Sequence, residues 1–210
     1  MNVRDVLSDL LAVWRAGDTA GVGTVVRTFA SAPRPAGAVM IVAPDGTVSG
    51  SVSGGCVEGA LYDLATAVAG SGAPVLQRYG ISDDDAFEAG LTCGGILDIF
   101  VEPVSRSTFG ELEAVVTDIE EHRPVAVATV IAHPDPAWVG RRLVVRPHGV
   151  AGTLGSTRAD DAVADDARGL LAAGRSGVLT YGPDGQRRGE GMEVFVAGHA
   201  PRPPDRGRPT

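Results

Sequence analysis

The chain has 210 residues, enough for one substantial core or two small ones, with 44% hydrophobic and 21% charged residues. Its formal charge is −8, and no Lys or Arg run breaks that acidic balance outside the proline-rich last residues, which argues against nucleic acid or an anionic membrane as partner. No stretch approaches the roughly 20 apolar residues that span a bilayer, and the charged first residues do not read as a signal peptide. The two cysteines make no disulfide framework, so a cytoplasmic protein with reduced thiols is expected.

Val3, Val6, Leu7, Leu10, Leu11 and Trp14 recur at steps of three and four, which predicts an amphipathic helix over residues 3–16, stopped by Gly17. Residues 22–30 are rich in β-branched side chains and predict a strand, followed by strands at 38–43 and 47–52 around the turn Pro44-Asp45-Gly46. A helix is expected over 56–69 and strands over 74–81 and 96–101, with an acidic Asp83-Asp84-Asp85 segment between those two strands. Residues 109–121 read as a helix.

The second half then repeats the first. Ala128-Thr129-Val130-Ile131 answers Gly23-Thr24-Val25-Val26, Gly152-Thr153-Leu154 answers Gly50-Ser51-Val52, and Glu193-Val194-Phe195-Val196 answers Asp98-Ile99-Phe100-Val101. The order of elements and the turn positions agree as well. We read an internal duplication of a β-β-β-α-β-β unit. The expected fold class is mixed α/β, two pseudo-symmetric halves with helices packed on mixed sheets and no complete Rossmann domain. The expected divisions are 1–105, 106–199 (the helix plus the second repeat) and a disordered Pro/Arg tail at 200–210.

The two copies differ where both cysteines lie. Cys56 follows Ser53-Gly54-Gly55, and Cys93 stands between Thr92 and Gly94-Gly95. Glycine pairs leave no apolar wall for a sulfur but let another molecule approach the backbone. At the matching place the second copy has Gly155-Ser156-Thr157-Arg158, so the thiols are not a requirement of the scaffold. With Gly55 as N-cap, Cys56 becomes the first helical residue and Glu58 reaches back to the Gly55 amide. Free amides at such a terminus favour a thiolate or a bound anion. The alternative is a tight strand-to-helix turn with a buried sulfur. The Gly94-Gly95 amides can form an anion-binding nest, with Thr92 adding a hydroxyl. A protein-only zinc site is disfavoured, because the cysteines are far apart and His122, His133, His148 and His199 show no ligand spacing. Neither a nucleophile elbow, a P-loop nor a Rossmann fingerprint is present.

The segments at 50–59 (GSVSGGCVEG) and 90–103 (GLTCGGILDIFVEP) resemble the two signature segments of the XdhC/CoxI family, and the likeness extends over about residues 3–200. The resemblance implies a maturation chaperone for molybdenum hydroxylases of the xanthine dehydrogenase and carbon monoxide dehydrogenase type. Such a factor binds the molybdenum cofactor transiently, protects it during sulfuration and helps insert it into the apo-enzyme. Carried over to this sequence, Cys56 and Cys93 approach the cofactor's molybdenum, and Ser51, Ser53, Gly54, Gly55, Glu58, Thr92, Gly94 and Gly95 form the cradle. The implied partners are the apo molybdenum hydroxylase and a cysteine desulfurase, with self-association as a homodimer compatible. Family members commonly continue into a Rossmann-like domain, whereas this sequence ends at Thr210. The alternative function is a thiol enzyme, a persulfide-carrying sulfurtransferase or dithiol oxidoreductase, with Cys56 as nucleophile and Cys93 as resolving thiol.

Overall fold

The computed structural model describes residues 3–29, 34–80 and 95–200. The first half runs α1 (Val3–Ala16), β1 (Ala20–Phe29), β2 (Val39–Val42), β3 (Val48–Gly50), α2 (Glu58–Ser71), β4 (Val75–Tyr79) and β5 (Ile96–Val104). The second runs α3 (Leu112–Glu120), β6 (Val125–Ala132), β7 (Arg142–Arg146), β8 (Gly149–Gly152), α4 (Thr157–Ala172), β9 (Gly177–Tyr181) and β10 (Met192–His199). A short 3-10 turn, Pro136–Trp138, interrupts the β6–β7 connection. Among the described residues no helix is long and apolar enough to cross a membrane.

Each half builds one five-stranded sheet, ordered β3-β2-β1-β5-β4 and β8-β7-β6-β10-β9. The mixed α/β class is as expected, but the strand pairings are antiparallel rather than mixed. β1, β2 and β3 pair in sequence as an antiparallel meander, and β5 lies between β1 and β4. The duplication extends to register. Thr24 faces Val39 and Phe100, while Thr129 faces Arg142 and Phe195, and the ladder shifts at the next step in both halves. It also includes one more element than the sequence suggested: α1 precedes β1 as α3 precedes β6. Their residues share only helical periodicity, which explains why the correspondence was not visible beforehand.

The sheets lie face to face. On the outer side α2 packs Leu61, Ala65 and Val68 against Val25, Ile99 and Val101. In the same way α4 packs Val163, Ala167 and Leu171 against the second sheet. Where the inner faces meet, the equivalent pairs Val26 and Ile131, Phe100 and Phe195 form one buried cluster. α1 and α3 pack with inner-face residues of both sheets, including Val22, Ile41, Val125 and Val144. α1 is anchored by the Trp14 indole, whose Nε1 donates to the Phe109 carbonyl at 3.0 Å.

Gly21 and Gly23 set how closely α2 approaches. A Cβ on Gly21 would lie 2.1 Å from the Ala65 carbonyl oxygen, and one on Gly23 would lie 2.9 Å from Leu61 Cδ1. Helix α2 therefore sits on bare backbone, held by side chains each contributing about 1.5–3 kcal/mol when fully buried. A left-handed Gly72 (φ 74) closes its C-terminus, donating its amide to Val68.

Candidate functional site

The chain leaves β3 at Gly50, whose φ of +87 places it where a Cβ would meet the Val39 carbonyl oxygen at 2.1 Å. Residues 51–57 then form an irregular loop, and α2 begins only at Glu58, with Val57 as N-cap. The expected helical start at Cys56 is thus two residues early. Gly54 (φ 79) and Gly55 (φ 124) adopt conformations that a helix cannot use. Cys56 stands exposed on this loop, not sealed in a tight turn.

The backbone of the loop converges on one side chain. Glu58 Oε1 accepts from Ser51 Oγ at 2.8 Å and from the amides of Ser53 and Gly54 at 2.9 Å each. Oε2 accepts from the Gly55 amide at 2.8 Å, and also from Ser53 Oγ. Longer contacts of 3.3 Å reach the Val52 and Val57 amides. Partial burial pushes the Glu58 carboxyl upward, but the Ser53 hydroxyl, the Ser53 amide, Ser51 and the Gly55 amide together outweigh it and hold the group down at about 2. The Glu58-to-Gly55 bond expected from sequence is present. The amides expected to cradle an external anion instead hydrogen-bond this internal carboxylate.

The second half provides a reference for the same framework. Gly152 (φ +81) repeats the exit beside a carbonyl, here that of Arg142. Asp160 stands where Glu58 does and accepts from Thr153 Oγ1 at 2.7 Å and the Leu154 amide at 2.6 Å. Ser156 caps the helix by accepting from Ala159 at 3.2 Å, so α4 is already wound at Thr157 and Arg158 lies in its first turn. The loop bearing Cys56 is the unwound version of that turn. Asp160 was not singled out from sequence. The signal was the shared seven-residue step from Ser51 to Glu58 and from Thr153 to Asp160.

Thr92, Cys93 and Gly94 lie outside the described residues. Gly95 is buried, immediately before β5. Because β5 runs antiparallel to β1, its first residue Ile96 pairs with Phe29 at the end of β1. β3, antiparallel to β2, runs with β1 and finishes toward the same end of the sheet. The two cysteine-bearing connections thus join the sheet from strands three positions apart, roughly 14 Å across the sheet, and Gly50 is level with Val101 and not with Ile96, which adds roughly 17 Å along the strands.

A cavity of about 600 Å³ runs between the sheets and reaches Arg34, Ala38 and Ser51 beside this loop. Its interior is mainly apolar, with Thr24 and Thr129 on opposite walls. Glu102 and Arg142, one from each half, form a buried ion pair in its lining. Arg142 also donates to the Thr108 carbonyl at 2.7 Å and lies 4.6 Å from the centre of the Phe109 ring. Sequence patterning does not reveal this pair, since β5 also carries Asp98 and β7 also carries Arg146, and spacing alone does not say which charges meet. No group of three or more His, Cys, Asp or Glu that could hold a metal ion occurs among the described residues.

Residues 13–80 and 118–182 match the XdhC and CoxI family, one stretch in each half. The chain belongs to that family. Among its relatives is the molybdenum cofactor insertion chaperone PaoD of Escherichia coli (strain K12), 34% identical over 124 residues. The aligned part is 59% of this chain and 38% of PaoD, so this XdhC/CoxI member spans well under half of that relative's length. A crystal structure described as a xanthine dehydrogenase from Bacillus halodurans superposes with a TM-score of 0.68 at 20% identity. It covers 96% of this chain and 53% of the other, and it bears on the fold alone.

Proposed function

We propose that this chain binds the molybdenum cofactor transiently at the cysteine-bearing end of its first sheet. It shields the cofactor while the terminal sulfido ligand is installed, and helps insert it into an apo molybdenum hydroxylase. Membership of the XdhC and CoxI family and likeness to a relative named as a molybdenum cofactor insertion chaperone support this reading. The observation that carries it is an exposed Cys56 on a loop whose amides at Val52, Ser53, Gly54, Gly55 and Val57 are engaged from within, where the duplicated half carries Arg158 on an ordinary helical turn.

The residues present fit the group through sulfur. A thiolate is a soft donor suited to molybdenum, and Cys56 is accessible to one. In this reading Cys93 is the second thiol, and Thr92, Gly94 and Gly95 are further cofactor-binding residues. Ser51, Ser53, Gly54 and Gly55 shape the near wall, although their hydrogen bonds go to Glu58 and not to the ligand. The cofactor's anionic groups then need a cation, and Arg34, exposed in the lining of the cavity that also reaches Ser51, is the candidate. The bound group supplies the metal centre that receives the sulfido ligand. A cysteine desulfurase is the proposed sulfur source.

The test is retention of molybdenum cofactor by the purified chain. Cys56→Ala and Cys93→Ala should each reduce retention by at least about tenfold, equivalent to roughly 1.4 kcal/mol, with circular dichroism and melting unchanged. If both variants retain cofactor as the parent does, the thiol role is wrong. A stable Cys56–Cys93 disulfide under mild oxidant, with no cofactor retained, would favour the dithiol enzyme instead.

A further inference from the structure

We propose that Glu58 is a positioning residue for Cys56: its carboxylate takes the amides of Ser53, Gly54 and Gly55 just before the thiol in the chain, so that the loop presents sulfur and not an anion-binding nest. This rests on Cys56 being the cofactor-facing thiol, though half of the test below does not.

An N-terminal acid ordinarily satisfies one or two amides of its helix. Glu58 does something different, because its bonds point back along the chain. Its two oxygens take Ser51 Oγ, Ser53 Oγ and the amides of Ser53, Gly54 and Gly55, residues that lie outside α2. A carboxylate has about four acceptor sites, so those bonds saturate it. The Val57 amide goes chiefly to Ser53 Oγ at 3.1 Å, so the donors on both sides of Cys56 are engaged from within. An external phosphate would have to displace a carboxylate covalently tethered to the same segment.

The duplicated half separates the two jobs that Glu58 performs. Asp160, one methylene shorter, bonds Thr153 and Leu154, the counterparts of Ser51 and Val52. That tether ties helix to strand in the half with no thiol. The added reach of glutamate is what brings Ser53, Gly54 and Gly55 under the same carboxylate. Shortening Glu58 to aspartate should therefore keep the tether and release the amides beside Cys56.

The experiment uses the full chain with Glu58→Asp, Glu58→Gln and, as control, Asp160→Asn. Three quantities are read without cofactor: melting temperature, hydrogen exchange of the 53–57 amides, and the iodoacetamide alkylation rate of Cys56 followed by peptide mass spectrometry at pH 7. Glu58→Asp should melt within about 3 °C of the parent, while exchange at Gly54 and Gly55 rises about tenfold. Cys56 alkylation should rise at least about threefold, since a loosened loop opens the thiol to the reagent. Asp160→Asn should lower melting and leave Cys56 alkylation unchanged. Should Glu58→Asp fold poorly, the near-isosteric Glu58→Gln takes its place, since its amide nitrogen cannot accept from Gly55. Parental alkylation and exchange in a folded Glu58 variant overturn the proposal. Cofactor retention is measured last, with about a tenfold loss expected in Glu58→Asp. A parent that retains no cofactor defeats the proposed function but leaves the exchange and alkylation result to decide the role of Glu58.

Discussion

Glu58 makes the acid stability of this fold predictable in sign. Its carboxyl, ordinarily at 4.5, is held at about 2 in the folded chain by Ser53, Ser51 and the loop amides, against the opposing effect of burial. A depressed carboxyl stabilises fully above its unfolded value, and that stabilisation is withdrawn as pH falls through the folded one. The parent should lose melting temperature between pH 4.5 and about 2 more steeply than Glu58→Gln, so that the two curves converge in acid. Partial exposure of the group screens the effect and keeps it modest. Parallel curves across that window would show that the carboxylate bonds contribute nothing.

At the scale of elements, the close seating of α2 on β1 is the feature most sensitive to substitution. Gly21→Ala places a methyl 2.1 Å from a main-chain carbonyl oxygen, which has no side-chain freedom to yield. We expect a loss of about 1–3 kcal/mol in urea unfolding, together with weaker cofactor retention, because Glu58 begins the displaced helix. At the equivalent place on β6 the second half carries Ala126, buried without penalty. Most elements were legible from sequence for a simple reason: apolar periodicity and turn glycines recur in the same order in both halves, at offsets that fall from 105 to 95 residues. Where α2 begins was not legible, because the spacing from Gly55 to Glu58 fits a capping box with the helix wound at Cys56, whereas Gly54 and Gly55 take positive φ and their amides go to Glu58. Ser51, Ser53, Gly54 and Gly55 lie on one loop before Glu58, and the expected bond from the Gly55 amide to Glu58 is present. That Ser51, Ser53 and Gly54 also turn to Glu58 was not legible, since a sequence of glycines and serines looks the same whether it faces a ligand or a neighbouring acid.

For the molecule as a whole, the two halves share contacts that should make them unfold together. Glu102 and Arg142 pair across the divide, Arg27 reaches Glu193 at 2.7 Å, and Val26, Phe100, Ile131 and Phe195 close the centre. Arg142→Ala leaves a buried carboxylate alone and should cost about 3–5 kcal/mol, whereas the double change Glu102→Gln with Arg142→Met should recover most of it. Calorimetry of the parent should show a single transition, and two resolved transitions would mean the halves are energetically separate. The mounting of Cys56 has a kinetic corollary. Its segment is tied by backbone amides to a helix that rests on bare main chain. Under the proposed function, capture at Cys56 should follow encounter and orientation, with no lag for rearrangement of the 51–57 loop.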